Sequence, residues 1–176
     1  SDRVLATAHA AIARPRDAAK TLADVADMRA RMDRERPSRS VWDIKLAPGG
    51  FVDIEFAAQA LQLTSAARIP EVIDANTGEA LRKLAIAGVL ATDTASRLSD
   101  AWRLLSALQQ TLRICIEDEF NAAEAPQPVV SRLAAIAGAS GAEELEAVLR
   151  ATQAGVRADF LQIVTSIGDG TDPAIR

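Results

Sequence analysis

The residues whose types and spacing could support binding or catalysis lie together in one short stretch of the sequence: Asp43, Lys45, Gly49, Gly50, Asp53, Glu55 and Gln59. Adjacent glycines before a helix let the backbone turn tightly and approach another surface closely. They also leave the first amides of the helix available for an anion. The stretch therefore predicts a place where the backbone meets an anionic group or another protein surface.

The two acidic residues after the glycines carry different predictions. Asp53 falls in the first turn of a helix, where compensation of the helix dipole is its expected role. Glu55 begins a narrow polar line that continues through Gln59 and Gln62 on an otherwise apolar helix. This line either is the solvent edge of the helix, or faces a cleft, another domain or a basic group that pairs with the carboxylate.

A second candidate is a basic cluster near the end of the preceding helix. Arg29, Arg31 and Arg36 belong to it, and Arg39 follows just beyond. Cations at a helix C-terminus oppose the helix dipole favourably, and clustered cations attract phosphates. The cluster is either an anion-binding patch or a solvated helix end.

The elements that must position these residues are predicted to be helical. Alanine, leucine, arginine and glutamate favour helices, and we expect an all-α bundle of about five to seven of them. Leu22, Val25, Met28 and Met32 form the predicted buried stripe of the helix that Asp17 caps. The predicted helices are 3–14, 17–36, 51–68, 76–86, 93–116, 129–137 and 142–167. Residues 41–46 alternate between apolar and polar, which predicts one short extended segment.

Composition excludes several kinds of protein. The sequence holds one cysteine, Cys115, and one histidine, His9, which excludes a disulfide framework and a multi-cysteine zinc site. The net charge of −4 argues against a nucleic-acid-binding protein. The lone cysteine fits a reducing cytoplasm, and apolar runs are too short to span a bilayer. We therefore expect a cytoplasmic protein that binds neither nucleic acid nor membrane.

One run of residues resembles a segment that is specific to glutamine synthetase adenylyltransferases. The run is Lys45-Leu-Ala-Pro-Gly49-Gly50-Phe-Val-Asp53-Ile-Glu55-Phe56, and the family segment is Lys-Leu-x-x-Gly-Gly-x-x-Asp/Glu-Ile-Glu-Phe. The resemblance is good over 24–116 and weaker elsewhere. It implies a helical bundle like the substrate-binding domains of nucleotidyltransferases.

Proteins of that family carry two nucleotidyltransferase modules, each followed by a helical bundle. The first removes AMP from glutamine synthetase by phosphorolysis, and the second attaches AMP from ATP to a glutamine synthetase tyrosine. Val52 stands where the first module usually has arginine, so the resemblance implies the bundle of the second. On this view 1–40 are helices leading from a catalytic domain outside the chain, 41–168 are the bundle, and 169–176 are a flexible tail.

The family's catalytic carboxylates lie upstream, in Gly-Ser…Asp-x-Asp and Asp-x-Arg-Leu-Arg-Pro motifs. Neither motif occurs in this sequence. Phosphoryl-type transfer needs carboxylates that hold Mg²⁺ against the triphosphate. The resemblance therefore implies Mg²⁺ and ATP for the full enzyme but no cofactor, metal or catalytic residue in this chain, which alone should transfer no AMP.

The resemblance also implies partners: the chain's own upstream nucleotidyltransferase domain, glutamine synthetase and a PII-type regulatory protein. Lys45, Asp53 and Glu55 would lie nearest the junction with the catalytic domain. There Lys45 would neutralise phosphate charge, and Glu55 with Gln59 would orient Lys45 or an arginine. The alternative is a non-catalytic interaction module that binds glutamine synthetase or a PII-type nitrogen regulator.

Overall fold

The structure is a computed structural model that describes residues 12–38, 40–115, 120–121 and 124–166. Within these ranges there are six α-helices: α1 (Ala18–Glu35), α2 (Phe51–Ser65), α3 (Thr77–Ile86), α4 (Thr92–Cys115), α5 (Gln127–Ala137) and α6 (Ala142–Thr165). A 3-10 turn at Pro70–Val72 joins α2 to α3. The described residues form no strand, and the predicted all-α fold is confirmed.

Local sequence signals set several of the helix ends. The side chain of Asp17 accepts a hydrogen bond from the Lys20 amide at 3.0 Å and begins α1. The side chain of Asn76 caps α3 in the same way through the Glu79 amide, also at 3.0 Å. Gly138, with a φ of 68°, ends α5 in the left-handed conformation that glycine adopts readily.

Helix α2 lies at the centre of the bundle, where it packs against α1, α3, α4 and α6. Nine of its residues are buried, including Ile54, which has no exposed surface. Phe51 meets Trp102 of α4 edge to face, with 4.7 Å between ring centroids. The glycine-containing loop therefore leads directly into a largely buried helix.

The extended segment predicted at 41–46 is wrong, because these residues form consecutive turns. The Asp43 amide donates to the Ser40 carbonyl at 3.1 Å, and the Ala47 amide donates to the Asp43 carbonyl at 2.8 Å. The Asp43 side chain also accepts from the Leu46 amide at 3.1 Å. Such a local side-chain bond offers the backbone an alternative to a strand.

Helix α1 buries only Leu22 and Arg29. The prediction that Met28 is buried is wrong, since it is 55% exposed, whereas Arg29 beside it is 1% exposed. Leu22 and Arg29 are seven residues apart, so they share one face of the helix. Leu22 and Arg29, together with the partly buried Val25 and Ala26, thus attach α1 to the bundle.

Some predictions fall on residues outside the described ranges. They concern most of the helix 3–14, Arg39, the thiol of Cys115 and the tail 169–176. The proposed boundary between 1–40 and 41–168 stays a prediction, although α1 packs directly against α2 and α6. No described helix combines the length and apolar character needed to cross a membrane.

Candidate functional site

Both glycines of the loop are required by close packing. Gly49 has a φ of 80°, and a Cβ there would lie 1.8 Å from the carbonyl oxygen of Gln153 in α6. A Cβ on Gly50 would lie 2.4 Å from the carbonyl oxygen of Ile44. Real Cβ contacts are never so short, so only glycine lets the loop pass between α6 and its own preceding turn.

The first amides of α2 are used within the loop. The Phe51 amide donates to the Ile44 carbonyl at 2.9 Å, and the Val52 amide donates to the Lys45 carbonyl at 3.2 Å. These amides are therefore not available to an external anion, in contrast to what the two glycines predicted. The glycines serve packing and loop closure instead.

Asp53 is the central acceptor of the site and has no exposed surface. Its carboxylate binds Nε of Arg29 and accepts from the Gly49 amide at 2.7 Å. It also accepts from Nη1 of Arg157 in α6 at 3.1 Å. Asp53 thus does more than compensate a helix dipole, since it joins α1, the loop and α6.

Asp33 of α1 supplies a second carboxylate to the same cluster. It binds Nη1 of Arg29 and accepts from Nη2 of Arg157 at 2.8 Å. Two carboxylates therefore alternate with two guanidiniums, and we call Arg29, Asp33, Asp53 and Arg157 the charge network. A buried charge needs such a partner, because leaving it unpaired costs several kcal/mol, on the order of 3–5.

Arg29 also fixes the loop directly. Its Nη2 donates to the carbonyl of Leu46 at 3.0 Å and to that of Ala47 at 3.4 Å. All three nitrogens of its guanidinium are thereby engaged inside the protein. Arg29 is therefore not part of an exposed anion patch, whereas Arg31 and Arg36 are exposed and stay predicted members of one.

The polar line on α2 divides between two environments. Gln62 is buried and accepts from the Asp74 amide at 2.8 Å, whereas Gln59 is exposed. Glu55 is half-buried, and burial raises its pKa, while the positive charge of Lys45 opposes that rise. Lys45 is itself exposed.

The side chains of Lys45, Glu55 and Gln59 make no hydrogen bond with any other residue that the structure describes. We call these three residues the exposed motif face. They follow or precede the buried residues of the same segment directly in sequence, so the loop that the charge network fixes also fixes where they stand. This face is the part of the segment that another domain or a ligand can reach.

A groove of about 900 Å³ lies beside the charge network, between the loop and α6. Trp42 and Phe120 line it, and they meet edge to face with 4.6 Å between ring centroids. Gln153 donates to the Val41 carbonyl at 2.7 Å, and Arg150 pairs with a glutamate of its own helix. These polar side chains are already paired within the protein.

The acidic residues that the structure describes offer no group suited to a metal ion. The described ranges contain no group of three or more histidine, cysteine, aspartate or glutamate residues that could hold a metal ion. Asp33 and Asp53, the two carboxylates of the charge network, are both bound by arginines. This donor set does not fit Mg²⁺, which needs carboxylate oxygens that are not neutralised by cations.

Two residues of the charge network, Asp33 and Arg157, were not among the sequence-predicted site residues. The spacing of four between Arg29 and Asp33 is a local signal for an ion pair and could have indicated Asp33. Arg157 lies more than a hundred residues beyond Asp53, and no local pattern links the two. Only the fold brings them together.

A family model and several known proteins each match most of the chain. A family model described as GlnD PII-uridylyltransferase matches residues 19–164. The chain is 43% identical over 155 residues, 88% of its length, to the bifunctional glutamine synthetase adenylyltransferase/adenylyl-removing enzyme of Caulobacter vibrioides. It is 40% identical over 163 residues, 93% of its length, to the protein of that name from Rhodopseudomonas palustris. The chain spans about 16% of the length of these relatives.

Proposed function

We propose that this chain, which belongs to the GlnD PII-uridylyltransferase family, is a helical domain of an enzyme that adenylylates and deadenylylates glutamine synthetase. The observation that carries the proposal is the identity of 40–43% over most of the chain with bifunctional glutamine synthetase adenylyltransferase/adenylyl-removing enzymes. In such an enzyme the domain would support transfer of AMP from ATP to a glutamine synthetase tyrosine.

The domain contributes to this reaction without holding its metal. Asp33 and Asp53 are neutralised by arginines, so carboxylates outside this chain would hold the Mg²⁺ that shields the triphosphate of ATP. We therefore expect the isolated chain to transfer no AMP. Its role is to pack against the nucleotidyltransferase domain and to help shape the surface that receives glutamine synthetase.

The exposed motif face is the part of the chain that would border the active site. Lys45 carries a positive charge on a loop whose backbone is fixed, and it would neutralise phosphate charge on ATP. Glu55 is electrostatically coupled to Lys45 and would orient its ammonium group. Gln59, one turn further along α2, would extend this polar edge towards the partner domain.

The test is to replace Lys45 and Glu55 in the full-length enzyme. We expect Lys45→Ala and Glu55→Ala each to lower kcat for adenylylation by about tenfold or more. The first removes the positive charge proposed to face ATP, and the second leaves that charge without the group that orients it. Lys20→Ala and Glu143→Ala are matched controls, since both residues are exposed on other helices. Turnover equal to that of the controls would contradict the proposal.

A second candidate function is a non-catalytic interaction module. The description of the matching family names PII, which favours a surface for a PII-type regulator. In that case Lys45→Ala and Glu55→Ala would leave turnover unchanged and weaken binding of glutamine synthetase or the regulator. Measuring kcat and binding on the same variants separates the two functions.

A further inference from the structure

We infer that Asp33 and Arg157 are positioning residues, which hold Lys45 and Glu55 in place through the charge network. The inference rests on the proposed function, because it gives these two residues a role at the same site. Neither lies in the Lys45 to Phe56 segment, and neither touches the exposed motif face directly. They act through Arg29, Asp53 and the loop.

Arg29 connects the network to the loop on the side of Lys45. Its Nη2 donates to the carbonyls of Leu46 at 3.0 Å and Ala47 at 3.4 Å, the two residues that follow Lys45. Its Nη1 is held by Asp33. Since the guanidinium is planar and rigid, fixing one nitrogen fixes the directions of the others. Asp33 thereby aims Arg29 at the loop.

Asp53 connects the network to α2 on the side of Glu55. It accepts from the Gly49 amide at 2.7 Å and lies in the first turn of α2, two positions before Glu55. The same carboxylate therefore fixes the end of the loop and the start of the helix. A shift of Asp53 would move Lys45 and Glu55 relative to each other.

Arg157 joins the two carboxylates from α6. Its Nη1 donates to Asp53 at 3.1 Å and its Nη2 donates to Asp33 at 2.8 Å. The side chain is 25% exposed, and its guanidinium lies 5.6 Å from the ring centroid of Phe160. Without Arg157, each carboxylate would lose one of its two cationic partners, and the pair would hold Arg29 against the loop carbonyls less firmly.

The first experiment is a double-mutant cycle in the full-length enzyme. We expect Arg157→Met to lower kcat for adenylylation about tenfold, with a smaller change in the KM for ATP. In a Lys45→Ala background the same substitution should change kcat by less than about twofold, because a residue that acts through Lys45 has no further effect once Lys45 is gone. Additive effects in the cycle would overturn the inference.

Arg150→Met is the matched control for the cycle. Arg150 lies two turns earlier on α6, is exposed, and pairs with Glu146 of its own helix. We expect this variant to keep the parental kcat. An equal loss of kcat in Arg150→Met and Arg157→Met would overturn the inference, since it would show a general effect of removing arginine from α6.

The second experiment reads the loop itself and does not depend on the proposed function. Hydrogen exchange of the full-length protein should become faster at the amides of 45–52 in Arg157→Met and stay unchanged across α3. Unchanged exchange at 45–52 would overturn the inference. Failure of the proposed function gives a different result, in which Lys45→Ala keeps full turnover while Arg157→Met still loosens the loop.

Discussion

The segment from Lys45 to Gln59 has two faces that differ in almost every physical respect. On the inner face Gly49, Gly50 and Asp53 are buried, and the Asp53 carboxylate is fully engaged by donors from three parts of the chain. On the outer face Lys45 and Gln59 are exposed, and Glu55 between them is half-buried. Within the described residues the outer side chains form no hydrogen bonds.

This difference separates two roles within one motif. The residues of the inner face are required for the fold, because their replacement leaves a clash or removes a counterion from the buried Arg29. The residues of the outer face contribute little to the fold, so the reason for charged and polar side chains at these positions must be contact with something outside the domain. Substitutions on the outer face should therefore change activity with little effect on stability, whereas those on the inner face should change stability and, through the position of Lys45 and Glu55, activity as well.

Replacement of Asp53 should have the largest effect on stability. Asp53→Asn keeps the shape of the side chain but leaves Arg29 and Arg157 with one carboxylate between them. Breaking a buried ion pair in this way costs about 3–5 kcal/mol of unfolding free energy. Urea unfolding followed by circular dichroism measures it.

The control for Asp53 is Asp24→Asn. Asp24 lies on α1 and is exposed, so the change should stay within about 0.5 kcal/mol. If Asp53→Asn destabilised the protein no more than Asp24→Asn does, the network would not be what holds the inner face together.

Gly49→Ala should have the next largest effect. The added methyl would meet the Gln153 carbonyl, and a φ of 80° is strained for alanine. Backbone strain and overpacking together should lower the free energy of unfolding by about 3 kcal/mol. Urea unfolding followed by circular dichroism measures this loss.

Gly88→Ala isolates the contribution of the close approach. Gly88 has a similar φ of 70°, but nothing lies within 4 Å of an added Cβ. We expect a cost of about 1 kcal/mol from the strained φ alone. Equal losses in the two variants would show that the contact with α6 is not a constraint.

Glu55→Gln should have the smallest effect on stability, and its sign depends on pH. Burial raises the pKa of Glu55 above its ordinary value of 4.5, so the folded protein holds this proton more tightly than the unfolded chain does. Ionisation of Glu55 therefore lowers stability as the pH rises from 4.5 through the raised pKa, and the penalty is constant above it.

The variant has no such penalty. At pH 7 it should be as stable as the parent or slightly more stable, by less than about 1 kcal/mol because solvent screens this half-buried group. The advantage should disappear as the pH falls below 4.5, where both states of the parent are protonated. Unfolding measured at the two pH values checks this, and a variant less stable than the parent at pH 7 would place Glu55 on the inner face instead.

Much of the fold could be predicted because its signals are local. Asp17 and Asn76 cap their helices through bonds to residues three positions ahead, and such spacing is visible in the sequence. The turns at 41–46 are harder to predict, because the alternation of apolar and polar residues there favours a strand. The Asp43 side chain bonds locally and diverts the backbone from a strand.

The interior of the candidate site was harder to predict than its location. The glycine pair and the polar residues around it predicted this segment as the candidate site, but the same reasoning gave Asp53 only a dipole role and placed Arg29 in a surface cluster. Both residues are buried because Arg157 and the loop carbonyls surround them, and those partners come from distant parts of the chain. Arginine is rarely buried unless it is paired, so the sequence alone does not predict a buried arginine when its partners lie far away along the chain.

The charge network also constrains how this domain can change through evolution. Any single replacement among its four members removes one ion-pair partner from each of two opposite charges, one of which is buried, although a well-packed apolar set in the same space is often just as stable. A lineage can therefore leave this arrangement only through concerted changes on three helices. Arg29, Asp33, Asp53 and Arg157 should accordingly vary together among descendants of a common ancestor, despite their distance along the chain.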